Sequence, residues 1–258
     1  MSKFTKRLVD LALSTLGLIL FSPLLVIVIF LVWIQDFKSP FYVSDRVGKN
    51  EKLFKMIKLR SMVMDADKTG IDSTSSNDSR ITSVGHFIRN FKLDEITQLL
   101  NVFLGDMSLV GPRPNVKRET DLYTSREKLL LNEKPGITDF ASIVFSDEGD
   151  ILSGKDDPDI VYNQLIRPGK SELGLFYIEN KSLITDLKIL VNTGIAILSR
   201  RIALKLNAKV LGNLGAPKNL IELARRESDL IPSPPPGANK IVTSRNVVSN
   251  DEDFEGNS

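Results

Sequence analysis

The chain has no cysteine and a single histidine, His86. Lack of cysteine excludes a disulfide scaffold, a thiolate metal site and a thiol nucleophile. One histidine excludes a histidine-rich metal centre and makes any Ser-His-Asp triad depend on His86. An excess of charge of one sign is also missing. With 34 basic and 32 acidic residues the net charge is +2, which gives no electrostatic reason to bind nucleic acid. Internal repeats are absent too. Chemistry in this protein has to rest on carboxylates, arginines, lysines and any metal they hold. At 258 residues the chain accommodates one sizeable core with appendages.

A long uncharged run is present, from Leu11 to Ile34. About 20 apolar residues suffice to span a bilayer. The run is too long for a secretory signal and lacks a small-x-small cleavage site. Ser22-Pro23 lies near its middle, and proline lacks an N–H and disfavours helical dihedrals at the residue before it. Two geometries fit: a kinked spanning helix, or a helix–break–helix that enters and leaves by one leaflet. Lys3, Lys6 and Arg7 precede the run, and Lys38, Arg46, Lys49 and Lys52 follow it. Basic residues at both ends favour the second geometry, with both ends cytoplasmic.

Beyond this run, Phe41 to Val43 and Lys52 to Met62 read as extended segments, and Asp72 to Ser79 as a mobile Ser/Asn/Asp-rich loop. Ile81 to Asn90 is a first short helix. Asp94 to Leu104 is a second, with Ile96, Leu99, Leu100 and Phe103 on one face and Gly105 as its stop. Lys134-Pro135-Gly136-Ile137-Thr138 reads as a turn. Leu183 to Leu204 is a core helix by default, with an interfacial helix on the membrane as the alternative. From about Ala208 the composition shifts. Pro232 to Gly237 and the acidic Asn250 to Ser258 indicate a tail without its own core, with a helical turn or two at Leu220 to Arg226.

The chemistry concentrates between Arg89 and Pro114. Asp94 and Glu95 are adjacent carboxylates at the start of the second helix, where acidic residues ordinarily just complement the helix dipole. Neighbours on a helix point about 100° apart, so they cannot bracket a glycosidic bond. They can flank one atom or ion, one acting as nucleophile while the other holds a divalent metal or handles a proton. Arg89 lies just upstream, and Arg113 sits in the stiff turn Gly111-Pro112-Arg113-Pro114. Guanidinium groups grip phosphate oxygens bidentately. Lys58 and Arg60 are further candidates to face an anionic substrate. Carboxylate, hard cation and arginine together suit phosphoryl transfer. The apolar run suggests that one substrate is a membrane lipid.

These residues resemble the monotopic phosphoglycosyl transferases, bacterial sugar transferases that start lipid-linked glycan assembly. The resemblance covers about Lys6 to Leu198. It rests on Lys6-Arg7-Leu8-Val9-Asp10, Ser22-Pro23, Lys58-Leu59-Arg60-Ser61-Met62, Leu93-Asp94-Glu95, Gln98-Leu99-Leu100-Asn101-Val102, Gly105-Asp106-Met107-Ser108, Gly111-Pro112-Arg113-Pro114 and Pro135-Gly136-Ile137-Thr138. It implies transfer of a sugar 1-phosphate from a UDP-sugar to polyprenyl phosphate, typically undecaprenyl phosphate, with release of UMP. Asp94 matches the aspartate that forms the covalent intermediate. Glu95 matches its partner, involved with Mg²⁺ or the lipid phosphate, so both are candidate metal ligands. Arg89 and Arg113 match phosphate-binding arginines, and Ser22-Pro23 matches the break of a re-entrant membrane helix. Where many members have proline, this chain has Thr97. Asp139, Ser142 and Phe145 to Glu148 also depart from the usual pattern.

The implied architecture is α+β. A re-entrant anchor (1–36) is followed by a small mixed helix/strand catalytic domain with amphipathic interfacial helices (37–206) and a flexible tail (207–258). The implied location is the cytoplasmic face of the bacterial inner membrane. Partners would be UDP-sugar, polyprenyl phosphate and membrane lipid, with no nucleic acid; a second copy and downstream glycosyltransferases stay open. Two rival functions are a non-catalytic membrane adaptor and a metal-dependent hydrolase of nucleotide-sugar pyrophosphate bonds.

Overall fold

The computed structural model describes residues 3–66 and 78–244. Most of the loop expected at Asp72 to Ser79, and the acidic Asn250 to Ser258, lie outside the described residues. The chain combines helices and strands, as expected of an α+β protein. Helix α1 spans Lys3–Ile34 and is followed by strands β1 (Phe41–Val47) and β2 (Leu53–Leu59). Next come α2 (Ser83–Asn90), a 3₁₀ turn (Leu93–Glu95), α3 (Gln98–Leu104), β3 (Ser108–Val110), α4 (Lys117–Thr120) and β4 (Gly136–Thr138). The remainder is helical: α5 (Phe140–Val144), α6 (Glu148–Leu152), α7 (Pro158–Val161), a π-helical turn (Tyr162–Ile166), α8 (Arg167–Glu179), α9 (Leu183–Leu198), α10 (Arg200–Asn213) and α11 (Lys218–Arg225).

Helix α1 shows a narrow buried stripe. Asp10, Ser14, Val28 and Val32 are buried, and Leu25 and Ile29 pack beside them. The rest of its surface is apolar and open, Ile19, Leu20 and Val26 each being about two-thirds exposed. By length and composition α1 is sufficient to cross a membrane. Both of its ends are tied to the same body. Near the start, Lys6 Nζ donates to Asp186 Oδ2 (2.6 Å), Arg7 donates to the Val102 and Phe103 carbonyls, and Asp10 accepts from Leu109 N (3.0 Å). Near the end, Val28 and Val32 pack with Leu59, Ile88 and Leu93, and Arg60 grips Asp36.

The break expected at Ser22-Pro23 does not divide the helix, which runs on with Pro23 inside it. Proline deprives the carbonyl four residues earlier, that of Ile19, of its N–H partner. Ser22 Oγ donates to that carbonyl at 2.8 Å. A hydroxyl thus supplies the hydrogen bond that the imide cannot, a compensation available to serine next to proline in apolar helices.

The two sheets are small. β1 and β2 form an antiparallel hairpin with Phe41 opposite Leu59 and Val47 opposite Leu53. The second extended segment ends at Leu59 rather than Met62, which makes only an isolated bridge to Ile81. β3 and β4 pair in parallel, Ser108 with Gly136 and Val110 with Thr138. The segment expected as a turn at Pro135 to Thr138 is therefore mostly strand. Gly111 and Gly136 permit this crossing, since a Cβ at Gly136 would lie 2.1 Å from Gly111 N.

The main core lies among α3, β3, α5, α8, α9 and α10, around Met107, Phe140, Ile143, Leu173, Tyr177 and Ile189. Leu183 to Leu204 is not one helix. It breaks at Ser199 (φ −154°, ψ 96°), which separates α9 from α10. α9 leaves Ile184, Leu187, Val191 and Leu198 exposed while burying Thr185, Asp186, Ile189 and Asn192. The expected boundary at 206/207 is also corrected. α10 runs through it, and Ala208, Val210, Leu211, Leu220 and Ala224 belong to the main core. Further on, Ser233 N donates to the Gln164 carbonyl, Gln164 Nε2 donates to the Val242 carbonyl, and Val242 is buried. Proline-rich composition misleads here because the segment docks on an existing core rather than building one.

Truncation after Leu206 should therefore unfold the protein. It removes Val210, Leu211 and Leu220, whose burial contributes on the order of 5 kcal/mol together. Thermal melts of the truncated and full chains in detergent test this.

Candidate active site

Asp94 and Glu95 lie on the separate 3₁₀ turn, not in the first turn of α3, which holds no acidic residue. Lys92 precedes the turn in the left-handed region (φ 54°, ψ 27°). This reverses the chain after α2 and presses Leu93 into the cluster formed with α1. Thr97 closes the geometry, its hydroxyl lying 3.1 Å from both the Ile57 and Asp94 carbonyls. The dipole explanation of the acidic pair loses its basis, because no long helix starts at these residues.

Asn101 registers this turn against β2. Its Oδ1 accepts from Ile57 N (3.0 Å), and its Nδ2 donates to the Lys55 carbonyl (2.7 Å). A side-chain amide thus replaces the neighbouring strand that β2 lacks on this side. The result brings Lys58 Nζ to 3.7 Å from Asp94 Oδ2. Burial pushes the Lys58 ammonium below its ordinary value, while Asp94 opposes the shift. Asp94 Oδ1 is buried with no hydrogen-bond partner among the described residues.

Glu95 is held differently. Arg113 grips it with two parallel bonds, Nη1 to Oε2 and Nη2 to Oε1, each 3.1 Å. Arg113 Nη1 also bonds the Ile137 carbonyl. Burial pushes the Glu95 carboxyl up, but Arg113, Lys58 and Lys92 together bring it below the ordinary glutamate value. Arg89 Nε donates to Ser61 Oγ at 3.0 Å, and burial lowers its pKa against the attraction of Asp94. Asp139 caps α5 by accepting from Ser142 N and Oγ (2.7 and 2.6 Å), and burial raises its carboxyl.

Of the six charged candidates, five converge: Asp94, Glu95, Lys58, Arg89 and Arg113. Arg60 does not join them. It is 5% exposed, and its guanidinium is saturated by Asp36 (2.6 and 2.7 Å) and the Ser39 carbonyl (2.7 Å). Alternation alone would keep Lys58 and Arg60 on one face, but β2 ends at Leu59, and Arg60 lies past the strand end against Asp36 and the Val32 carbonyl. Arg60 correspondingly holds the Asp36 carboxyl at about 2. Asp36 and Asn101 are the residues that the sequence did not single out as functional. Asn101 lay within a recognised motif, whereas Asp36 carried no signal beyond following the apolar run.

No group of three or more acidic or histidine residues suited to a metal occurs among the described residues. Both Glu95 oxygens are already in the Arg113 fork, and Asp94 offers one buried unpaired oxygen. This donor set fits a Mg²⁺ that takes one carboxylate contact and completes its shell with ligand phosphates and water. It does not fit an all-protein cage.

The cleft around these groups encloses about 1440 Å³. That exceeds the roughly 300–1,000 Å³ of a usual small-molecule site, so two substrates have room together. One end is lined by Phe41, Val43, Met62, Val63 and Met64, near the end of α1. The other is polar, with Ser142, Ser146, Asp147, Glu148, Lys170 and Arg200.

Comparison with known proteins identifies the family to which the chain belongs. A family profile described as Bacterial sugar transferase matches residues 1–200. The Exopolysaccharide production protein ExoY of Sinorhizobium fredii is 34% identical over 204 residues, covering 73% of this chain and 83% of that protein. The undecaprenyl-phosphate galactose phosphotransferase of Salmonella typhimurium is 36% identical over 214 residues, 77% of this chain and 41% of its own length. The UDP-N-acetylgalactosamine-undecaprenyl-phosphate N-acetylgalactosaminephosphotransferase of Aeromonas hydrophila is 32% identical over 193 residues, 74% and 43% respectively. This chain therefore spans less than half the length of those two larger relatives.

Glu95→Gln should destabilise the protein by on the order of 2 kcal/mol at pH 7, since Arg113 then loses its counter-charge in a site about a quarter open to solvent. Because folding lowers the Glu95 pKa, this contribution is present above the ordinary value of 4.5 and is lost as pH falls through the lower folded value. The gap between wild type and variant should close on acidification, as read by denaturant titrations at pH 7 and pH 3.

Proposed function

Because the chain belongs to the bacterial sugar transferase family, we propose that it transfers a sugar 1-phosphate from a UDP-sugar to undecaprenyl phosphate at the membrane surface. UMP is released, and a lipid-linked glycan is begun. The observation that carries this reading is Asp94 Oδ1, an unpaired carboxylate oxygen among three cationic side chains at the centre of a two-substrate cleft. The names of the Salmonella and Aeromonas relatives support the acceptor and the class of reaction.

The chemistry balances with these residues alone as reacting groups. An ionised Asp94 oxygen bonds to the sugar-bearing phosphorus of the donor. The bond from that phosphorus to the bridging oxygen breaks, and UMP leaves with that oxygen as an anion. A phosphate oxygen of the lipid then bonds to the same phosphorus and releases the Asp94 carboxylate. Neither step needs a strong acid or base, so a chain with one histidine suffices. Lys58, Arg89 and Arg113 offset charge on the phosphate oxygens. Asp94 is the residue that would hold Mg²⁺ by its one carboxylate contact, Glu95 being occupied by Arg113, and the ion when bound would neutralise diphosphate charge. Lys58 has a second duty, because its ammonium offsets the repulsion between Asp94 and the adjacent carboxylate.

Although α1 is unbroken at Pro23, its placement supports a topology in which both ends stay on one side of the bilayer. Both its ends engage one body, so a crossing that put them on opposite sides of a bilayer would tear one set of contacts. The exposed apolar faces of α1 and α9 then lie in lipid, with the cleft at headgroup depth and facing the cytoplasm. The apolar end of the cleft suits the prenyl chain, and the polar end suits the nucleotide.

Asp94→Asn should reduce UMP release from UDP-galactose or UDP-N-acetylgalactosamine by about 10³-fold or more and abolish any covalent sugar-phosphate adduct seen by mass spectrometry. Full turnover in this variant would exclude Asp94 as nucleophile. Sugar phosphate released into water without undecaprenyl phosphate would instead make the protein a hydrolase.

A further inference from the structure

Asp147 occupies the N-cap position of α6, where an aspartate ordinarily accepts hydrogen bonds from its own helix, yet it makes none there. Its Oδ2 is instead held by two guanidinium groups, Arg200 Nη2 and Arg226 Nη2, each at 2.9 Å. Arg200 also donates to Ser146 Oγ and to the Val144 carbonyl, both at 3.1 Å. The Arg226 guanidinium carbon lies 5.5 Å over the Phe145 ring. Two hydrogen-bonding positions stay unfilled at this node among the described residues, Asp147 Oδ1 and Arg226 Nη1. Phe145, Ser146, Asp147, Glu148 and Arg200 line the polar end of the cleft.

Arg226 itself stands where another residue is expected. It terminates α11 in the left-handed region (φ 52°, ψ 38°), a place that favours glycine. Such a conformation persists in a residue with a side chain when the surroundings hold it. α11 is seated tightly: a Cβ at Gly169 would come within 2.7 Å of Phe145 and 2.9 Å of Leu223. Arg226 also lies beyond residue 200, where the family match ends.

We propose that Arg226 is a positioning residue: with Arg200 it fixes Asp147, and thereby the Phe145–Glu148 wall that receives the nucleotide half of the donor. The C-terminal segment is on this view a working part of the cleft. This inference rests on the donor assignment made above. The Phe145–Glu148 wall is the part matched to a nucleoside diphosphate, because Ser142, Ser146, Asp147, Lys170 and Arg200 supply donors and acceptors along it.

The test uses the full chain in lipid nanodiscs, with UDP as the probe common to the candidate donors. Arg226→Gly is the informative change, since glycine relieves the left-handed backbone while removing the guanidinium. It should raise the Kd for UDP about tenfold and speed amide hydrogen exchange across residues 145–152, and Arg226→Lys should recover part of both. Wild-type UDP affinity together with wild-type exchange in Arg226→Gly would overturn the inference. Arg226-dependent UDP binding in a protein that transfers no sugar phosphate would leave it standing and overturn the function proposed above. Normal transfer with undiminished UDP affinity in Arg226→Gly would do the reverse.

Discussion

Two carboxylates side by side repel, and the site depends on how that repulsion is resolved. Glu95 is neutralised by the two-pronged grip of Arg113, which also reaches the Ile137 carbonyl on β4. Asp94 has only Lys58 at 3.7 Å and a more distant Arg89, and keeps one oxygen unpaired. The unequal pairing separates their duties. The bound carboxylate ties the 3₁₀ turn to the β3–β4 crossing, and the less bound one keeps an open oxygen. Preorganised cations around a developing phosphate charge cost no reorganisation during reaction.

The same turn is joined to α1. Leu93 shares a buried cluster with Val28 and Val32, and Arg60 locks Asp36 one residue beyond the Lys58–Leu59 pair. The apolar helix and the acidic pair are therefore adjacent parts of one packing unit, which sets charged groups directly beside a large exposed apolar surface. Ser22 contributes indirectly, since its hydroxyl restores the hydrogen bond that Pro23 removes and lets α1 continue.

Local rules read much of the protein correctly. Helical periodicity found α2 and most of α3, the glycine stop at Gly105 adopts φ 100°, and the motif-bearing Lys58, Arg89, Asp94, Glu95 and Arg113 do converge. Errors arose where a residue's partner is distant in sequence. Pro135-Gly136 has turn chemistry, but β3 offers it a parallel strand partner, with Ser108 opposite Gly136. Arg60 has the composition of an anion ligand, but Asp36 is closer. The proline-rich segment lacks a core of its own, but Gln164 and Thr124 hold it by hydrogen bonds to Ser233, Val242 and Pro236.

Sequence alone determined which residue types were available: no thiol, one imidazole, an apolar run, and an acidic pair within reach of arginines along the chain. Those facts restrict the chemistry because side-chain reactivity is local and travels with the residue. Tertiary structure decided the assignment of roles. It gave Glu95 to Arg113, left Asp94 with a free oxygen, tied Arg60 to Asp36 and brought Arg226 to Asp147 on the cleft wall. Charge pairing and burial are properties of three-dimensional neighbours, and neighbours 24, 18 or 79 residues apart leave no mark in a local pattern.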